Sequence, residues 1–327
     1  MARKSLTAME YLSLAARVNQ HLSSVVSIRN RVQPWQAAVC LGISTYLVLG
    51  AATNSVRGYH WLMLAGMPAV LLSAERGKRF FVDWSPLFAF WLVYDRLRLI
   101  QPLLYSRVAV EDPFLIERAA FGWLARGEVP AHAAHSWLAA QPGAVSLAVE
   151  WAAQIVYFSH LFVAPLVILA MWRLGASRER YRAAFRQHVL AFTVLNFSAI
   201  AIYVLLPVAP PWWVSLNGYA QPTRELVGQA NMAAAMHGAL IQGMISNASQ
   251  WFAAVPSLHG GYPVLLLLLT PWRQSRRVCV GIAVYGFAMW AATVVLNQHY
   301  IVDLLAGALL AAAAWWVARV IARRRAR

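Results

Sequence analysis

The sequence predicts an all-α protein, a polytopic integral membrane bundle of about eight spanning helices. Of its 327 residues, 60% are hydrophobic and only 12% are charged, which is about half the charged fraction of a typical soluble domain. Apolar stretches of about 20 residues recur along the chain, and each is close to the length needed to cross a hydrocarbon core of ~30 Å. The arginines concentrate in the short segments between these stretches. A helical membrane protein accounts for all three observations.

The formal net charge of +16 is explained better by the topology of a membrane protein than by binding to a nucleic acid. Positive residues cluster in four segments that connect or follow the apolar stretches, and the positive-inside rule assigns such segments to the cytoplasm. Both termini are therefore predicted to be cytoplasmic. The four segments are residues 75–83, 172–186, 272–277 and 323–327.

The first 34 residues are polar, basic and weakly amphipathic, which predicts an interfacial helix. A cleaved signal peptide is not expected, because the first apolar stretch begins only at Ala37. Both cysteines, Cys40 and Cys279, lie in apolar stretches, so neither a disulfide framework nor a cysteine metal site is indicated. The predicted spans are residues 36–53, 59–74, 84–100, 149–172, 187–206, 257–271, 278–297 and 300–318.

Two long segments face the opposite side of the membrane in this topology. Residues 101–148 mix aromatic and charged side chains and are predicted to form one or two interfacial helices along the outer leaflet. Residues 207–256 begin with prolines and a Trp212-Trp213 pair, which favours a loop that caps a site at the membrane surface. The tryptophans fit an interfacial aromatic belt better than a substrate contact.

Two histidines and one aspartate form the candidate catalytic site. His259 begins one apolar stretch and His299 ends another, so a helical hairpin would bring both imidazoles to the outer membrane face. Asp303 follows His299 by four residues, a spacing that places both on one helix face. A carboxylate in this position can hold an imidazole in one tautomer and stabilise its cation.

This set of side chains suits phosphoryl transfer with no metal or other cofactor. His299, held by Asp303, is the candidate nucleophile, and His259 is the candidate general acid for the departing oxygen. Gly260 and the glycine after it would let a phosphate approach backbone amides at the start of a helix, where the helix dipole favours an anion. Ser257 suits the turn that enters this helix.

The chain resembles the phosphatidic acid phosphatase type 2 superfamily, in particular its lipid phosphotransferase branch, the inositol phosphorylceramide synthases. The resemblance rests on Pro-Ser-Leu-His at 256–259, on His-Tyr-Ile-Val-Asp at 299–303 with Gly307 after it, and on Pro-Pro-Trp at 210–212. It implies a six-helix core within residues 84–318. It also implies the same nucleophile, partner and leaving-group acid as the chemical argument.

The chain departs from the phosphatase branch at the phosphate-binding residues. It has no Lys-x6-Arg-Pro motif, and Ala292 and Thr293 stand where that branch has a Ser-Arg pair. These departures resemble the sphingolipid phosphotransferases. Arg96 and Arg98, near the outer end of the third span, are the candidate replacement cations because an arginine can clamp a phosphate with two hydrogen bonds. The alternative is that they anchor the helix and pair with Asp95.

We therefore expect a membrane lipid phosphotransferase that works through a phosphohistidine-type intermediate on the periplasmic face, or the lumenal face in a eukaryote. Its expected substrates are a phospholipid or lipid phosphate and a lipid or polyol acceptor. The alternatives are a lipid phosphate or polyprenyl-diphosphate phosphatase, and more distantly a transporter or scaffold. The alanine- and arginine-rich composition is compatible with a bacterial cell membrane.

The predicted domains are an N-terminal region with two accessory spans at 1–83, a catalytic membrane domain at 84–318 and a basic cytoplasmic tail at 319–327. Seven residues complete the predicted site as candidate substrate contacts. They are Arg96, Arg98, Ser257, Gly260, Tyr300, Trp212 and His160, the last of which lies inside the fourth span.

Overall fold

The computed structural model divides the chain into two compact units, Met1–Asp83 and Trp84–Arg327. Residues 1–31 of the predicted interfacial helix and residues 272–274 of one predicted cytoplasmic turn lie outside the part of the chain that the structure describes. The described residues are 32–53, 55–58, 60–73, 75–231, 242–243, 248–268 and 275–325.

The regular secondary structure of the described residues is helical, as the sequence predicts. Short 3-10 turns at Tyr105–Arg107 and Gly122–Ala125 separate some of the helices. The α-helices are α1 Pro34–Ala52, α2 His60–Leu72, α3 Glu75–Leu104, α4 Glu111–Phe121, α5 Pro130–Ala139, α6 Gly143–Leu174, α7 Glu179–Leu205, α8 Pro211–Asn217, α9 Arg224–Gln229, α10 Leu258–Leu267, α11 Arg276–Val295 and α12 Ile301–Arg325.

Five of the described helices are long and apolar enough to cross a membrane: α1, α6, α7, α11 and α12. Helices α2 and α10 are apolar but shorter. Length and composition alone therefore support fewer spans among the described residues than the eight predicted. Helix α12 also continues to Arg325, beyond the predicted end of the last span at 318, so most of the predicted basic tail is helical.

In the first unit, a buried amide ties the beginning of α1 to the end of α2. The Gln36 side chain donates hydrogen bonds to the carbonyl oxygens of Val70, Leu71 and Ser73 at 3.0, 3.1 and 2.8 Å. These carbonyls belong to the last turn of α2 and the residue after it, which have no partners within the helix. Gln36 therefore donates to carbonyl groups at this helix end, of which that of Val70 also accepts the Ser73 backbone N–H.

In the second unit, the segments between the long helices are joined by short backbone pairing. Val208 forms isolated parallel bridges with Ala109 on one side and Ala253 on the other. The predicted interfacial segment at 101–148 contains α4 and α5, in agreement with the expectation of one or two helices there. The bridges hold this segment beside the stretches that precede α8 and α10.

Candidate active site

Helices α10 and α12 cross so closely that only glycine fits at the crossing. A Cβ atom added at Gly307 would lie 1.8 Å from the carbonyl oxygen of Ser257, and one added at Gly260 would lie 2.2 Å from that of Leu304. The Ser257 N–H also donates to the carbonyl oxygen of Asp303 at 2.9 Å. The first turns of the two helices are therefore fixed against each other.

A tight turn links α11 to α12 and places His299 just before α12 begins. Asn297 adopts a left-handed conformation with φ of 59°, which asparagine tolerates better than most residues. The Trp212 backbone N–H donates to the carbonyl oxygen of Asn297 at 3.1 Å, and the Asn297 side-chain amide donates to the Ser215 hydroxyl at 2.9 Å. Helix α8 thus supports the turn that carries His299.

Helix α8 is held in turn by a histidine of α5. The Nε2 atom of His132 lies 3.0 Å from the carbonyl oxygen of Pro211. Burial lowers the pKa of His132, and this hydrogen bond opposes the shift. A neutral His132 that donates from Nε2 to the carbonyl accounts for the contact.

The structure brings the three predicted catalytic side chains into contact. His259 Nδ1 lies 3.1 Å from His299 Nε2, and His299 Nδ1 lies 3.4 Å from Asp303 Oδ2. Asp303 is completely buried, and His299 is only 8% exposed. The same Asp303 oxygen accepts the backbone N–H of Tyr300 at 2.9 Å, which fixes the carboxylate behind the imidazole.

Asp303 determines the direction of the hydrogen bonds along this chain of side chains. An ionised carboxylate only accepts, so His299 Nδ1 carries a proton and donates it to Asp303. In the neutral ring, Nε2 of His299 is then the acceptor, and His259 Nδ1 donates to it. His299 therefore presents a lone pair, and His259 presents a proton, at the same point.

Two side chains of α6 surround the His259 ring. The Tyr157 ring stacks on it with ring centroids 4.4 Å apart, and the His160 ring meets it edge-on at 4.3 Å. Tyr157 and His160 are three residues apart and share one face of α6. His160 therefore lies beside the candidate site, and its contact with substrate stays a prediction. Tyr157 was not among the predicted residues, although its helical spacing from His160 indicates it.

The structure gives Ser257 and Gly260 roles that differ from phosphate binding. Ser257 is fully buried, and its side chain caps α10 by accepting the Gly260 N–H at 3.4 Å. The backbone of Leu304 fills the space beside Gly260. This glycine therefore permits the two helices to cross, whereas the sequence pattern predicts that it leaves room for a phosphate. The expectation overlooked the second helix, which sequence spacing alone does not place there.

Trp212 and Tyr300 are core residues in the second unit. Trp212 is 1% exposed and Tyr300 is fully buried, and both belong to one apolar cluster. The Trp212 ring meets that of Trp251 edge-on at 5.6 Å between centroids. The interpretation of Trp212 as part of an interfacial belt is therefore wrong, since a belt residue would be partly exposed.

Arg96 and Arg98 both interact with Asp95, in keeping with the alternative considered for them. Arg98 forms a hydrogen-bonded ion pair with Asp95, and Arg96 Nε lies 3.9 Å from an Asp95 oxygen. Arg98 Nη2 also lies 3.5 Å from the Ser249 hydroxyl. These contacts join both arginines to Asp95 of their own helix and Arg98 also to Ser249; phosphate binding by either arginine stays a prediction.

Within the described residues, no group of three or more histidine, cysteine, aspartate or glutamate side chains is arranged to hold a metal ion. The chemistry that the site can perform with its own side chains is attack by a histidine lone pair and proton donation by a second histidine. Both groups would be directed at a substrate atom that enters between His259 and His299.

Comparison with known proteins relates the segment that carries this site to one family. A family model described as PAP2 superfamily matches residues 123–317, which include all three catalytic candidates. The phosphoinositol dihydroceramide synthase of Bacteroides thetaiotaomicron is 22% identical over 277 residues, covering 84% of this chain and 88% of that protein.

Fungal proteins match a shorter part of the chain. The inositol phosphorylceramide synthase of Candida albicans is 31% identical over 160 residues, which is 48% of this chain and 32% of that protein. The catalytic subunit of the Schizosaccharomyces pombe enzyme of that name is 31% identical over 127 residues, 37% of this chain and 29% of that subunit. The matches thus span about a third of these fungal proteins. No solved structure matches the chain.

Proposed function

The chain belongs to the PAP2 superfamily, and on that premise we propose that it is a membrane enzyme that transfers a phosphoryl-linked head group from one lipid to another. One observation carries the proposal: His259 Nδ1 and His299 Nε2 lie 3.1 Å apart with Asp303 behind His299. This geometry supports a mechanism in which a nucleophile and an acid act on the same reacting group. The names of the relatives supply the class of substrate.

In the first step, the donor phosphate enters between the two imidazoles and breaks the hydrogen bond that joins them. His299 Nε2 attacks phosphorus, a P–N bond forms, and the P–O bond to the diacylglycerol breaks. His259 must enter this step as an imidazolium, with protons on both ring nitrogens and the anionic phosphodiester as its counter-charge; it gives its Nδ1 proton to the departing oxygen and becomes neutral. Asp303 stabilises the positive charge that develops on the His299 ring. The products are diacylglycerol and a head group held on His299 through phosphorus.

In the second step, a lipid hydroxyl takes the place of the diacylglycerol. His259, now neutral with a lone pair on Nδ1, accepts the hydroxyl proton as the oxygen attacks phosphorus. The P–N bond breaks, and His299 returns to its starting state. The cycle restores every proton and consumes no other reactant. Water in place of the lipid hydroxyl would give hydrolysis, so access of the acceptor decides between transferase and phosphatase.

The donor and acceptor follow from the names of the relatives. Phosphoinositol dihydroceramide synthase and inositol phosphorylceramide synthase are named for products in which inositol phosphate is joined to a ceramide. We assign to this chain an inositol phospholipid donor and a ceramide-type acceptor. One relative with such a name matches 84% of the chain, and another matches 48% of it.

The remaining parts of the account concern topology. We propose that α2, α3 and α10 complete eight spans together with the five long apolar helices, and that α3, α6, α7, α10, α11 and α12 form the six-helix core. The arginine-rich turns support cytoplasmic termini and a site on the opposite, extracytoplasmic face of a bacterial cell membrane. The catalytic domain is then residues 84–318. We also propose that Arg96 and Arg98 bind the phosphate of the donor, which requires that they release Asp95 when the donor enters.

The proposed activity predicts a specific product in a reconstituted assay. Purified protein in liposomes is supplied with phosphatidylinositol labelled in its inositol, with or without ceramide. We expect the label to move to a ceramide-linked product, with one diacylglycerol released for each transfer. Release of labelled inositol phosphate at the same rate with and without ceramide would show a hydrolase and overturn the transferase assignment.

A further inference from the structure

A buried glutamate far away in the sequence holds the first turn of the helix that follows His299. Glu117 of α4 is completely buried, and its carboxylate accepts the backbone N–H groups of Ile301 at 2.9 Å and Val302 at 3.0 Å. These are the first two residues of α12. Glu117 lies just outside the segment 123–317 that matches the family model.

We call the two hydrogen bonds that Glu117 accepts from Ile301 and Val302 the Glu117 clamp. The clamp provides acceptors for N–H groups that a helix leaves without partners. The first N–H groups of an α-helix have no acceptor within the helix, and the positive end of the helix dipole favours a carboxylate there. Glu117 accepts two of these groups, and Asp303 accepts the N–H of Tyr300 just before them. Two protein carboxylates therefore occupy the start of α12.

The hydrogen bonds from Ile301 and Val302 stabilise the buried carboxylate of Glu117. Burial raises the pKa of Glu117, the hydrogen bonds from Ile301 and Val302 lower it, and the nearby charge of Asp303 raises it again. A buried carboxylate without partners would be strongly unfavourable. The two charge-assisted hydrogen bonds therefore explain why an acidic side chain stands at this position and why its direction is fixed.

The position of the clamp connects it to the chemistry. His299 precedes Ile301 by two residues, and Asp303 follows Val302 directly, so the clamped peptide groups lie between the candidate nucleophile and its partner. A shift in the first turn of α12 would change the 3.4 Å contact of His299 with Asp303 and the 3.1 Å contact with His259. Nucleophilic attack is sensitive to misplacement of this size.

We propose that Glu117 is a positioning residue for head-group transfer, which fixes the first turn of α12 so that His299 stays aligned with Asp303 and His259. The inference rests on the proposed function. Glu117 also fills the anion site at this helix end, so the donor phosphate binds between the histidines and not at the start of α12.

The test compares Glu117→Gln and Glu117→Ala with wild type and with Glu111→Gln, a control at an exposed position in the first turn of the same helix. Glutamine keeps one acceptor oxygen but turns an amide donor toward the second N–H group. We expect kcat per folded molecule to fall about 10-fold for Glu117→Gln and about 100-fold for Glu117→Ala. We expect KM to change little because the side chain is completely buried and binds the backbone of α12.

A second readout separates positioning from simple stabilisation. Amide hydrogen exchange at Ile301 and Val302 should become faster in both variants, whereas Glu111→Gln should match wild type. The proposal is overturned if Glu117→Gln melts at a lower temperature but keeps the wild-type kcat, if it raises KM alone, or if it fails to fold. Absence of transfer by wild type would refute the proposed function itself, whereas a wild-type rate in Glu117→Gln would refute only the inference.

Discussion

His299→Ala is expected to lower the rate of head-group transfer by about 10⁴-fold or more. Losses of this size are typical when the nucleophile is removed from a set of catalytic residues that act together. Without the imidazole there is no lone pair to form the P–N bond, and Asp303 is left without the ring that it orients. His299 lies in the turn before α12 and Asp303 keeps the hydrogen bond from the Tyr300 N–H, so the fold should persist. The measurement is transfer of labelled head group in liposomes, expressed per folded molecule.

His135→Gln on α5 is the matched control, since it removes an imidazole that is not a member of the His259, His299 and Asp303 set. It should retain the wild-type rate. Transfer by His299→Ala at more than a tenth of the wild-type rate would show that another group attacks phosphorus. The assignment of His299 would then have to be abandoned.

Gly307→Ala is expected to separate α10 from α12 and to remove activity together with stability. The added methyl carbon would lie 1.8 Å from the carbonyl oxygen of Ser257, so the backbones must move apart. Because Ser257 and His259 share one turn, the move would displace His259 from His299. We expect transfer to fall by about 10²-fold or more and the melting temperature to fall, since overpacking costs about 1–3 kcal/mol.

Gly281→Ala provides the control for a glycine in a helix. A Cβ at Gly281 of α11 would meet nothing within 4 Å, and alanine favours a helix over glycine by about 1 kcal/mol. Gly281→Ala should therefore be as active as wild type and no less stable. Equal activity of Gly307→Ala and wild type would contradict the close crossing of the two helices.

The position of the candidate site could be predicted from local patterns. His259 and His299 lie at the ends of apolar stretches joined by a hairpin, and this arrangement alone predicts that they share one membrane face. The structure places the two rings in hydrogen-bond contact. Asp303 also lies against His299, but α12 begins only at Ile301, so the contact joins a turn residue to the first helical turn.

Contacts between distant segments could not be predicted in the same way. The sequence indicates that Gly260 is small but not that the backbone of α12 occupies the space beside it. Tryptophan is a residue type typical of interfacial belts, yet Trp212 is buried because α8 packs against the turn at Asn297. Glu117 is 184 residues from Ile301, and no periodic pattern relates positions so far apart.

The most direct test of the account is a search for the head group bound covalently to His299. Enzyme in liposomes is mixed with labelled phosphatidylinositol without ceramide, stopped at neutral or alkaline pH to preserve a P–N bond, and analysed by peptide mass spectrometry. We predict an inositol phosphate adduct on the peptide that contains His299, which disappears when ceramide is added. Transfer to ceramide that proceeds without any such adduct, or with an adduct on another residue, would contradict the account.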